Sequence, residues 1–339
     1  MQYINPIEIL ELSNITDSRS IDSNTIKKAK RRLFADIDLS DDGSYNYCGV
    51  KLTKGECEKA IEELADNDLK EIYIYLASNN SLNQFLISGN GKHLHNFTQD
   101  SIYRLPDFVK FISPYFAPKF DKALLIAFKN NDVEELKYIL NTSFLISQKD
   151  INQGFKGVSN DLQNKITKVS DLRIEINNEE SDYNQDSIEE VTGIIINYFP
   201  DKIINCLPSY FSSQILKIAN EVNYLNAVVW EKFDNAQVSS DLLEHILKLN
   251  IDGLNKPTFE KNYEIIKRRN LQRIEYRKNE PVYRKYSDYL SEYKNKLKQI
   301  EKRSISASDL IKWVTSQIKV SEINELPEVY EEIKNQVGH

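Results

Sequence analysis

The stretch DKALLIAFKNNDVEELKYIL, residues 121–140, decides the fold class. Ala123, Leu124, Ala127 and Phe128 recur at helical spacing, and so do Val133, Leu136, Ile139 and Leu140. An α-helix imposes that period, and Asn130-Asn131 between the two stripes reads as a turn. Two amphipathic helices joined so tightly make an antiparallel hairpin, whose apolar stripes must be buried against neighbouring elements. No second copy follows at a fixed period, so a repeat array is not expected.

Reading toward the N-terminus, Phe120–Asn130, Leu105–Ile112 and Leu82–Ile87 continue as helices, the last two separated by the loop SGNGKHLHNF. Asp66 caps a helix over Asp68–Ala77, and Thr53 caps another over Lys54–Leu64. SYNYCGVKLT alternates around Cys48-Gly49 and predicts a small β-hairpin at about 45–52. Asp22 or Ser23 caps a helix over Asn24–Asp36, with Ile26, Ala29, Leu33 and Ile37 on one face and Lys27, Lys28, Lys30, Arg31 and Arg32 on the other. Asn5 and Pro6 start a short helix over Ile7–Glu11.

Toward the C-terminus, residues 148–187 are the most polar stretch and read as a linker or long loop, and hence as a domain boundary. Helices follow over Ser187–Tyr198, Ser209–Asn220, Asn223–Phe233 and Ser239–Leu249. Pro257 opens a long helical stretch to about Lys302, with a kink or break expected at Pro281. Ser308–Val320 and Pro327–Gln336 close the chain. The expected fold is all-α with one small hairpin: a helical module over 1–78, a helical segment over 79–147 packing with it, the polar segment 148–187, and a C-terminal helical domain over 188–339.

Of 339 residues, 40% are apolar and 28% charged, which fits a globular protein. No apolar run approaches the ~20 residues of a membrane-spanning helix. The start MQYINPIEILELS lacks the positive region and apolar core of a signal peptide, and three cysteines are too few for a disulfide framework, so a soluble cytoplasmic protein is expected. The net charge of −7 is uneven: residues 256–303 carry +8, residues 1–255 carry −12 and residues 304–339 carry −3.

Chemistry-bearing patterns are sparse. Gly89-Asn90-Gly91-Lys92 lacks the spacing of a phosphate-cradling loop, no strand precedes it, and no Ser or Thr follows the lysine. His93 and His95 have no third ligand nearby, Cys57 falls inside a helix, and His245 sits among Leu242, Leu243, Ile246 and Leu247 as a core histidine. No catalytic residue, cofactor or metal site is expected, and the chain reads as a non-enzyme.

The order NPIEILELS, IKKAKRRLF and KAIEELADNDLKEIYIYL resembles the J-domain, the module of DnaJ-type Hsp70 co-chaperones, over roughly residues 4–77. Leu64, Asp66, Lys70 and Tyr73 echo the end of that family's third helix. The resemblance implies a helical surface for docking a chaperone or other protein, with the basic face Lys27–Arg32 meeting acidic partner surfaces. The family's His-Pro-Asp tripeptide, needed to stimulate the Hsp70 ATPase, falls at Asp38-Leu39-Ser40, so stimulation is not expected here. The alternative reading of the basic face is a solvated helix surface.

A second surface lies in IIKRRNLQRIEYRKNEPVYRKYSDYLSEYKNKLKQIEKR, where Arg268, Arg269, Arg273, Arg277, Arg284 and Lys285 interleave with Tyr276 and Tyr283. Such a mixture binds phosphates and stacks on bases, forms a protein interface, or packs within the chain. The expected function is a protein-interaction adaptor or co-chaperone-like scaffold working without catalysis or Hsp70 stimulation. The alternative is a nucleic-acid-associated factor acting through 256–303.

Overall fold

The computed structural model describes residues 2–302 apart from 16, 17, 179–181, 252 and 254, together with 306 and 309. Among the described residues the regular structure is helical, except for one two-stranded antiparallel hairpin. Residues 1–260 group into one compact unit and residues 261–339 into a second.

Asn5 caps α1 (Pro6–Ile9) by accepting from the Ile7 amide, and Asp22 caps α2 (Ser23–Leu39) through Thr25. Strands β1 (Ser44–Tyr47) and β2 (Val50–Thr53) pair with Tyr45 opposite Leu52 and Tyr47 opposite Val50. Both central turn residues, Cys48 and Gly49, have positive φ of 50° and 87°, the twist that a two-residue hairpin loop requires. Thr53 then closes a capping box with Glu56 and starts α3 (Lys54–Glu62), which a 3₁₀ turn links to α4 (Asn67–Ser78). α5 (Asn80–Ser88) ends at left-handed Gly89, where Lys119 donates to the Ile87 carbonyl at 2.6 Å and also to Leu86.

α6 (Pro106–Lys129) is one helix where the sequence predicts two, over Leu105–Ile112 and Phe120–Asn130. Pro114 and Pro118 each remove a backbone donor, yet Ile112, Phe116, Ala117, Phe120 and Leu124 are wholly buried around them. Interior prolines cost roughly 3 kcal/mol each, and burying several aromatic and aliphatic side chains at ~1.5–3 kcal/mol apiece outweighs that. α6 and α7 (Val133–Leu140) form the predicted hairpin, with Asp132 capping α7 through Glu135.

The polar segment 148–187 is not a linker. It holds α8 (Ile151–Gly154) and α9 (Lys156–Asn177), which account for most of its described residues. Val158, Leu162, Ile166, Val169 and Ile176 are buried along α9, a complete apolar stripe diluted in the sequence by the polar residues of its other face. Asp121 of α6 accepts from the Gly157 amide at 2.6 Å, so the helix is tied into the body rather than tethering two halves. The division between units consequently falls at 260/261.

α10 (Gln185–Tyr198), α11 (Asp201–Ile204), α12 (Ser212–Phe233) and α13 (Ala236–Lys248) complete the first unit's bundle. α12 joins two predicted helices, Ser209–Asn220 and Asn223–Phe233: Ile218, Ala219, Val222 and Leu225 carry the stripe unbroken across Asn220. Gln214 on α12 donates to the Ser159 carbonyl of α9 at 3.0 Å. α14 (Lys256–Glu301) runs through Pro281 without a break in its helical backbone. The helices expected over Ser308–Val320 and Pro327–Gln336 lie outside the described residues.

Candidate protein-docking face

The sequence-expected basic face lies on α2, whose other side fixes its orientation. Leu33 and Ile37 are buried, with Ile26 and Ala29 half-buried on the same side. Two of the five cations are tethered: Lys30 pairs with Glu58 of α3 at 2.6 Å, and Arg32 pairs with Glu11 beyond α1. Lys30 and Lys54 also lie over the Phe34 ring, at 5.1 and 5.0 Å from its centroid. These contacts tie the flanks of the helix to its neighbours. Lys27, Lys28 and Arg31 are exposed and engage no ion pair among the described residues. Following the helical turn from Lys27 and Arg31, the stripe ends at Ala35 and Leu39, the latter 84% exposed. The face therefore couples three solvated cations to an apolar tip.

Asp38-Leu39-Ser40 closes the helix and anchors the hairpin. Asp38 accepts two bonds from Lys54, at 2.7 and 2.8 Å. Ser40 Oγ donates toward the Ile37 carbonyl at 2.8 Å and accepts from the Ser44 amide at 3.0 Å.

Behind α2 lies a polar centre that the sequence did not reveal. Asn5 is wholly buried; its amide donates to the Tyr73 carbonyl at 3.1 Å and to Asn83 Oδ1 at 3.3 Å. Asn83 accepts from Tyr3 and donates to Glu8 at 2.6 Å, and Tyr47 donates to the other oxygen of Glu8. Burial first, and then the Glu8 carboxylate, push the Tyr47 hydroxyl far above its usual range, so it stays a donor. Partners 39 to 80 residues apart in sequence leave no local signal.

The second expected surface lies in the other unit. On α14, Arg268, Arg269, Tyr276, Arg277 and Arg284 are exposed and Arg273 is half-buried. Arg284 pairs with Glu280 at 3.6 Å. The side chains of Tyr283 and Lys285 lie outside the described residues.

The remaining candidates take structural places. His95 pairs with Glu135 of α7 and stacks on Tyr138 with ring centroids 4.5 Å apart, pinning the Gly89–His95 loop down. Cys57 is wholly buried, and burial pushes its thiol up to about 11. Cys206 donates to the Lys202 carbonyl, and Cys48 is exposed at the hairpin turn. Among the described residues no group of three or more His, Cys, Asp or Glu side chains is arranged to hold a metal ion, and no helix is long and apolar enough to cross a membrane. No protein-family model, curated protein or solved structure matches the chain.

Proposed function

We propose that this protein is a non-catalytic interaction adaptor, co-chaperone-like in its N-terminal module, that docks an acidic protein surface on α2. The observation that carries the reading is the split among the α2 cations. Lys30 and Arg32 are paired within the fold, while Lys27, Lys28 and Arg31 face solvent with no ion pair among the described residues, on a helix that ends at exposed Leu39. The helix backbone is already formed and buried on its inner side, so binding orders only these side chains. The J-like order of α1, α2, α3 and α4 supports a co-chaperone-like lineage. The engagement of Asp38 and Ser40 by Lys54 and the hairpin supports the loss of Hsp70 stimulation, since that tripeptide closes a turn instead of projecting a motif.

Affinity capture from the source cell tests the adaptor reading. The full chain recovers a protein partner in stoichiometric yield, and the Lys27→Glu, Lys28→Glu, Arg31→Glu variant loses it while keeping its helical circular dichroism. Undiminished capture by the variant would remove α2 from the account. Nuclease-sensitive recovery that disappears on charge reversal at Arg268, Arg269 and Arg273 would transfer function to the 256–303 segment as a nucleic-acid surface.

A further inference from the structure

A second face, on α14, is built for an occupant of different chemistry. Lys267, Leu271, Ile274 and Lys278 follow each other at four-, three- and four-residue spacing and therefore share one side of the helix. All four are exposed, Leu271 at 59% and Ile274 at 56%. An apolar pair standing open between two lysines is an unusual way to finish a solvated helix, and it asks for a partner that is apolar along one stripe and acidic beside it.

Charge selects among occupants. A second copy of α14 would set one +8 segment against another, because the surplus is spread evenly over 256–303: four net positive charges in 256–280 and four in 281–303. No register of two such helices avoids that repulsion. The complementary segment is in the same chain. Residues 321–339 carry five glutamates against one lysine, and within them Leu326, Tyr330, Ile333 and Val337 repeat at four-, three- and four-residue spacing. Pro327 suits the first turn of a helix carrying that stripe. From Glu301 to Leu326 there are 25 residues, and an extended chain covers about 3.3 Å per residue, so the connection reaches any point on this face of α14.

We infer that the acidic C-terminal segment 321–339 docks in cis on the Lys267–Leu271–Ile274–Lys278 face of α14. The inference is independent of the α2 reading. Its consequence is regulatory: the tail shields a basic, apolar surface from nucleic acid and foreign proteins, and high salt loosens the shield.

Zero-length carbodiimide cross-linking of the full chain tests it, using an equal mixture of ¹⁴N- and ¹⁵N-labelled protein. The expected result is cross-links from Lys267 and Lys278 to glutamates of 321–339, joining residues of the same isotope only. Leu271→Glu with Ile274→Glu should lower their yield about tenfold, the effect of losing two apolar contacts of ordinary size. Both positions are exposed, so the fold should survive. Single Lys267→Glu and Lys278→Glu variants should each lower the yield of links from the other lysine of the face to 321–339, with the helical circular dichroism unchanged. Mixed-isotope links would assign the face to a second copy and overturn the inference. Absence of links from either lysine to 321–339 would overturn it as well.

Discussion

Asn5 shows how much one side chain can hold. It caps α1, anchors the backbone at Tyr73 and fixes Asn83, which in turn orders Glu8 and Tyr47. Removing it uncaps the buried Ile7 amide and strips one bond each from the Tyr73 carbonyl and Asn83, an unmade buried bond costing ~1–3 kcal/mol. Asn5→Ala should therefore lower the unfolding free energy by about 2–4 kcal/mol in urea titration; a loss within ~0.5 kcal/mol would mean that water replaces the amide. His245 supplies the pH dependence at this scale. Burial lowers its pKa below the usual 6.5, opposed by Asp201 and by a hydrogen bond to the Phe199 backbone, and reinforced by Lys248. Its Nε2 finds no hydrogen-bond partner among the described residues, so an imidazolium would carry an unbonded N–H in the core. The unfolded chain thus binds the proton more readily, and stability is full above pH ~6.5 and is lost as pH falls toward the lowered native value. The urea midpoint should drop between pH 7 and about 5, and this contribution should vanish in His245→Leu; an identical pH slope in that variant would contradict the assignment.

Individual elements show where the sequence was legible and where it was not. Thr53 and Asp66 announce helix starts because capping is local chemistry, and the α6–α7 turn and the 45–52 hairpin are readable for the same reason. α9 was hidden because only one stripe of a surface helix is apolar, and its polar face dominates the composition of 148–187. Hydrogen exchange offers the check: amides over Val158–Ile176 should be as protected as those of α6. Fast exchange across α9 would restore the linker. α6 runs on through two prolines, ordinarily a stop, because burial overrides that local rule. Pro114 is exposed and contributes no core contact, so Pro114→Ala should raise stability by about 1 kcal/mol or more. An unchanged or lowered melting temperature would show that the helix has adapted its local geometry to the proline.

At the scale of the whole molecule, the fold class could be read from periodicity, and the α2 cations could be named individually. Which of them are free could not, because Glu58 and Glu11 reach Lys30 and Arg32 from other elements. The same tertiary pairing turns Asp38-Leu39-Ser40 into part of a hairpin anchor. The chain should accordingly leave the ATPase rate of an Hsp70 unchanged within about twofold at saturating concentration, a difference of under ~0.5 kcal/mol in barrier. A stimulation of tenfold would show that this tripeptide still serves a co-chaperone. The central claim, that a protein partner is held by the solvated cations of α2, is tested most directly by amine labelling of the full chain, alone and in its captured complex. Lys27 and Lys28 should react freely in the isolated chain and be protected in the complex, while the exposed lysines outside α2 react equally in both states. Equal labelling of Lys27 and Lys28 in the two states would contradict the account.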